Sequence, residues 1–174
     1  MTRYLTFSLL LAVSSAGCSA PGTTDSPSDA TSARAPASSA AAAKPANDGR
    51  PVEITASDTM KFSIAEITAK PGEKLSVTLA NTGTTPKFSM GHNWVLLAPG
   101  TEMQSFLVTA AEAVTTDYVP AAQKDRILAA TKLLGPNERD TVTFTAPASP
   151  GRYEFLCSFP GHYQVGMRGV LIVQ

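Results

Sequence analysis

Cys157, His162 and Met167 stand five residues apart in the run C-S-F-P-G-H-Y-Q-V-G-M, so a thiol, an imidazole and a thioether fall within eleven residues. A second imidazole, His92, sits far upstream in M-G-H-N-W, and the chain has only these two histidines. Two imidazoles, one thiolate and a weak axial thioether are the donors expected around a copper ion that carries single electrons. Cu(II) favours nitrogen and oxygen ligands, whereas Cu(I) accepts soft sulfur; a trigonal His-His-Cys plane with a distant thioether serves both states with little rearrangement. Taken singly, each residue has an ordinary reading. A cysteine at a strand end packs as a small hydrophobe, His92 reads as a structural histidine, and Met167 reads as core. The joint spacing, in a glycine-rich loop between two strands, selects the metal reading. Met60 and Met103 have no such context and are assigned to packing.

Such ligands must be held by rigid elements, and the chain supplies them only in its C-terminal two thirds. Residues 1–18 read as an export signal: Arg3 gives the positive start, and Leu5 to Val13 is apolar but too short to span a bilayer. Ser15-Ala16-Gly17-Cys18 is the kind of small-residue sequence that precedes a lipidated cysteine, which predicts a lipid anchor on Cys18; a plain secretory signal is the alternative. Residues 19–50 are mostly Ala, Ser, Thr, Pro and Gly. Such a stretch cannot offset its ordering entropy by burial and is expected to be a disordered linker with a reach of about 30 Å. A bacterial periplasmic setting, membrane-anchored through Cys18, follows from that reading. With Cys18 in the signal and Cys157 in the candidate site, no disulfide is expected in the folded domain.

The expected domain, 51–174, carries ten Lys or Arg against eleven Asp or Glu. It has no basic run and few aromatics, which excludes a nucleic-acid partner. Its pattern is mostly β. Strands are expected at Val52–Ala56, Lys61–Thr68, Lys74–Ala80, Asn93–Leu97, Ile127–Leu134, Asp140–Thr145, Arg152–Cys157 and Gly169–Gln174, with turns at Pro71-Gly72, Asn81-Thr82-Gly83 and Gly135-Pro136. Leu75, Val77 and Leu79 alternate onto one face, as do Val142 and Phe144, and Tyr153 and Phe155. Glu102 to Val114 is rich in helix formers, with Thr101 as its expected cap. Short, evenly spaced strands imply an all-β two-sheet sandwich with a helix-containing flap. In it, Pro160 and Gly161 shape the turn between Cys157 and His162.

The segments M-G-H-N-W-V-L (Met90–Leu96), T-K-L-L-G (Thr131–Gly135), D-T-V-T-F (Asp140–Phe144) and C-S-F-P-G-H (Cys157–His162) resemble the azurin and auracyanin group of cupredoxins, and the likeness covers nearly all of 51–174. The resemblance implies a Greek-key β-sandwich with one type 1 copper ion. It implies His92, Cys157 and His162 as equatorial ligands, Met167 as axial ligand, and the Gly91 carbonyl as a weak further contact. Asn93 and Ser158 match positions that tie the ligand loops together near the sulfur and tune the potential. Met90, Phe159, Pro160 and Tyr163 are expected to form an apolar patch around the outer edge of His162, where electrons leave. Three features depart from azurins: Met167 is fifth rather than fourth after the histidine, a spacing closer to auracyanins; the azurin disulfide is missing; and Asn81 and Ala130 stand where azurins carry non-ligand histidines.

Four functions compete at this level. Electron transfer with redox proteins is favoured, the compatible partners being c-type cytochromes, a terminal oxidase, a nitrite reductase or a photosynthetic reaction centre. An enzyme would need further copper sites, and the chain has no histidines left to build them. A periplasmic copper store or chaperone would favour exposed, Met-rich or paired-Cys sites. A purely structural binding module is the fallback.

Overall fold

The computed structural model describes residues 48–174; the expected export signal (1–18), the lipid anchor at Cys18 and all but the last three residues of the expected linker lie outside them. Of those last three, Asp48 pairs with Lys74 at 2.6 Å, and Arg50 opens the first strand.

Eight strands form two sheets. One holds β1 (Arg50–Ala56), β3 (Lys74–Asn81) and β6 (Arg139–Thr145) in the order β1-β3-β6. The other holds β2 (Glu66–Ala69), β8 (Arg168–Val173), β7 (Gly151–Leu156), β4 (Val95–Leu97) and β5 (Ile127–Ala130), in that order. β1 runs parallel to β3 and β2 parallel to β8, while the remaining pairs are antiparallel. This is the Greek-key sandwich the sequence implies. Alternation fills its interior: Ile54, Leu75, Val77, Leu79, Leu96, Phe155 and Leu171 are buried, around a fully buried Trp94. The Trp94 ring lies 5.5 Å from Phe155 and 5.8 Å from Phe144, and such tilted aromatic pairs add about 1 kcal/mol each beyond area burial.

The strand expected at Lys61–Thr68 is only Glu66–Ala69 long. Met60 takes left-handed backbone at φ 53°, and Phe62 forms a single bridge back to Ala56, so the chain hugs the sheet edge before it pairs. β4 starts at Val95, two residues later than expected, because the Trp94 N–H is taken by the Thr131 hydroxyl at 2.9 Å. β5 stops at Ala130; the chain then crosses to bridge Leu134 with His92. Val142 and Phe144 are half-buried, packing from the edge strand β6.

The flap carries helix α2 (Met103–Glu112) and two short 3-10 turns, Val114–Thr116 and Ala121–Arg126. Glu102 caps α2, accepting from the N–H groups of Gln104 and Ser105, so the cap lies one residue beyond the expected Thr101. Thr101 instead donates to the Ala98 carbonyl. Phe106 and Ala110 bury the inner face of α2 against Val95, Leu97 and Leu156, in a second cluster outside the five-stranded sheet. A one-turn helix, α1 (Lys87–Met90), precedes the His92 loop.

Candidate metal centre

His92 is fixed by its backbone before its side chain is considered. Its N–H donates to the Leu134 carbonyl at 3.1 Å and its carbonyl accepts from Leu134 at 2.8 Å. Gly91 just before it is buried, and no side chain fits there: a Cβ would lie 2.7 Å from the Lys87 carbonyl oxygen and 2.8 Å from Leu133 Cγ. Cys157 follows the last residue of β7, with its N–H on the Met167 carbonyl at 3.1 Å. The Met167 N–H donates in turn to the His162 carbonyl at 2.9 Å, and the His162 N–H to that of Phe159 at 3.1 Å. These bonds coil Cys157 to Met167 into one loop, in which Gly161 (φ 87°) and Gly166 (φ 90°) take backbone that a side chain would strain.

Donor atoms of His92, Cys157 and His162 all lie within 4.8 Å of one another, and the three residues are buried. Cys157 Sγ is 3.3 Å from His162 Nδ1, and the two imidazole centroids are 4.9 Å apart. Both ring nitrogens of His92 are buried without a hydrogen-bond partner; among the described residues the only other such side-chain atom is Trp94 Nε1. Orphaned buried imidazole nitrogens cost stability unless something binds them, and a cation between these donors would satisfy the lone-pair nitrogen of His92. Met167 is fully buried and joined through its backbone to both Cys157 and His162.

The electrostatics agree. Burial pushes the Cys157 thiol up to about 12, against the opposing N–H groups of Asn93 and Phe159 that face the sulfur. Burial, with a smaller contribution from His92, brings His162 down to about 4. His92 is also lowered by burial; the Ser57 backbone and the Asp58 charge pull the other way. The site thus offers two neutral imidazoles and a thiol that ionises only in exchange for a cation. That donor set fits copper.

Asn93 and Ser158 lock the two ligand loops. Asn93 Oδ1 accepts from the Ser158 N–H at 2.9 Å, and Asn93 Nδ2 donates to Ser158 Oγ at 2.8 Å. The pair also reaches the flap: Asn93 Nδ2 donates to the Asp117 carbonyl and Ser158 Oγ to that of Tyr118. Asp117 and Tyr118 both hold left-handed backbone (φ 57° and 59°), which turns their carbonyls toward the site. Sequence reasoning missed Asp117 and Tyr118, and it placed Thr131 and Leu134 in the matching T-K-L-L-G segment without a role; all four act through their backbone or as local props, which residue type does not announce.

Of the expected patch, Phe159 stacks on His162 at 4.7 Å, Pro160 is exposed beside it, and Met90 ends α1, half-buried, two residues before His92. Tyr163, half-buried, packs against the second cluster, its ring 4.8 Å beneath the Arg168 guanidinium. Phe88, which sequence reasoning overlooked, is 83% exposed on α1.

A buried His-Cys-His cluster at the loop end of a Greek-key sandwich defines a type 1 copper protein. The sequence profile of the copper binding proteins, plastocyanin/azurin family, matches residues 51–174, and the chain belongs to that family. It is 36% identical over 127 residues to azurin from Pseudomonas chlororaphis, covering 71% of this chain and 97% of that one. It is 38% identical over 111 residues to outer membrane protein H.8 from Neisseria gonorrhoeae, where the match spans 63% of this chain and 60% of the relative. Among solved structures, auracyanin from Roseiflexus castenholzii superposes with a TM-score of 0.64 at 38% identity, covering 71% of this chain and 96% of that one. The protein is a blue copper electron-transfer protein with one copper ion as cofactor, and it exchanges electrons with redox partners.

Proposed function

We propose that His92 and His162 through ring nitrogens, Cys157 through its thiolate and Met167 through its thioether would hold the copper ion, with the Gly91 carbonyl as a weak further contact. The single observation carrying this reading is the convergence of three buried donors within 4.8 Å of one another. Copper supplies the one-electron couple; the residues supply the cage. Asn93 and Ser158 keep the loops from separating when the charge changes, which limits the rearrangement each transfer requires. The chain performs no substrate chemistry, since no histidine remains for a second copper site. A store or chaperone is disfavoured because the three donors are buried rather than exposed.

Electrons leave through His162, with Met90, Phe159, Pro160 and Tyr163 as the surrounding contact surface; Phe159, on the imidazole, and exposed Pro160 are its best-supported members. A small apolar contact suits brief encounters, and the partners are redox proteins such as c-type cytochromes, a terminal oxidase, a nitrite reductase or a photosynthetic reaction centre. Residues 1–18 direct export to the periplasm, Cys18 carries lipid, and 19–50 tether the domain. The name of the Neisseria relative, an outer membrane protein, supports a membrane-held form.

The test is the visible spectrum of the oxidised protein. An intense blue charge-transfer band that disappears in Cys157→Ser is expected; a band that survives the substitution refutes the ligand assignment.

A further inference from the structure

The connection between β1 and β2 touches both ligand-bearing loops, although it contributes no ligand. It begins as a turn closed by the Met60 N–H on the Ser57 carbonyl at 2.9 Å. Met60 holds φ 53°, a conformation a long apolar residue keeps only when its surroundings impose it. From this turn the half-buried Asp58 reaches the segment leading to His92. Its carboxylate accepts from the Thr84 N–H and hydroxyl, both at 2.9 Å, and from the Thr85 N–H at 3.3 Å. The fit is close: a Cβ on Gly83 would come within 2.5 Å of Asp58 Oδ1. On the other side, Lys61 Nζ donates to the Val165 carbonyl, 104 residues further along the chain. A Cβ on Gly166 would lie 2.8 Å from that ammonium. Val165 and Gly166 are the two residues immediately before Met167, so Lys61 grips the part of the loop that sets where the thioether sits.

We propose that Asp58 and Lys61 are positioning residues of the copper centre, a two-ended clasp that holds the His92 loop and the His162–Met167 loop in register from outside. The proposal rests on the ligand reading given above. The two ends carry opposite charges, which gives the clasp an electrostatic consequence. A nearby carboxylate favours the more positive valence of the ion and a nearby ammonium the less positive one. The two ends therefore bias the redox equilibrium in opposite directions while performing the same mechanical task.

Lys61→Met, Asp58→Asn and the double substitution, each in the full chain, separate these effects. Against a reference redox couple, the equilibrium of Lys61→Met shifts about threefold toward the oxidised form and that of Asp58→Asn about threefold toward the reduced form, with the double variant near the parent. In the metal-free protein, amide exchange at Gly166 and Met167 quickens about tenfold in Lys61→Met and is unchanged in Asp58→Asn, while Lys61→Arg restores both the equilibrium and the exchange. Unchanged exchange in Lys61→Met, or redox shifts of the same sign in both single variants, overturns the clasp. A parent protein that lacks the blue band refutes the ligand assignment instead, and the exchange measurement on the metal-free protein still decides the clasp.

Discussion

The Cys157 thiol and the two imidazoles are set against ionising by the same cause, burial, and the consequences differ by residue. At neutral pH the metal-free site holds a protonated thiol, pushed up to about 12, and two neutral imidazoles, both lowered. Copper binding must therefore expel one proton, from Cys157, and none from the histidines. Titrating Cu(II) into weakly buffered metal-free protein at pH 7 should release one proton per ion; a release near two would mean that an imidazole had been charged. The same values govern stability without metal. For His162 the folded value lies near 4 and the ordinary value is 6.5, so between those limits the unfolded chain binds a proton that the folded chain refuses. Stability is then lost as pH falls from about 6.5 toward 4. For Cys157 the ordinary value is 9.0, so above it the unfolded thiol ionises while the folded one does not, and stability is lost as pH rises from about 9 toward 12. Thermal unfolding of the metal-free protein should show a plateau between these flanks. A midpoint that keeps rising as pH falls below 6 would contradict the neutral imidazoles.

At the scale of elements, the ligand loops are joined by one side chain more than by any other. Asn93 bonds Ser158 twice and Asp117 once, so it ties the loop before β4, the loop after β7 and the flap behind α2. Asn93→Ala leaves the Ser158 N–H and the Asp117 carbonyl without this partner and should cost about 2 kcal/mol, measured by denaturant unfolding. The blue band should persist but broaden, because the ligands remain while their register loosens. Gly91→Ala acts differently: its Cβ meets backbone and Leu133 below 3 Å, so the cost of about 1–3 kcal/mol falls on the position of His92 itself. These elements also mark where sequence reading works. Alternation placed Leu75, Val77 and Leu79 inward, and ligand spacing singled out the residues that converge. The short β2 and the late start of β4 were not legible, because the deciding contacts join distant positions: Phe62 with Ala56, and Thr131 with Trp94. The cap lies at Glu102 rather than Thr101 because the helix starts one residue later, where the Glu102 carboxylate accepts from the Gln104 and Ser105 N–H groups.

Across the whole domain, charges are mostly held in pairs or on backbone groups, including those beside the ligand loops. β1 runs for about 20 Å from Arg50 to Ala56 and delivers Ser57 toward His92, so its start lies at the end away from the ligand loops. That far end carries two of the four ion pairs among the described residues, Arg50 with Glu73 and Lys74 with Asp48. Arg139 pairs with Glu53, and Lys87, the charge next to the His92 loop, pairs with Glu138 at 3.6 Å. The turn before His162 is itself uncharged, Phe159, Pro160 and Gly161, while Arg168 and Lys61 lie on the residues after it, over Tyr163 and on the Val165 carbonyl. With ten cationic and eleven anionic residues in 51–174, neither long-range steering nor local charge pairing has much to act on. Stopped-flow electron exchange with a small c-type cytochrome should change less than about threefold between 10 and 200 mM salt, roughly the range over which the Debye length falls from about 30 to 7 Å. Substituting Pro160→Glu should slow the exchange and create a salt dependence the parent lacks, rising or falling according to the charge of the cytochrome face. A steep salt dependence in the parent would bring a charged side chain into the contact and refute an apolar exit edge at His162.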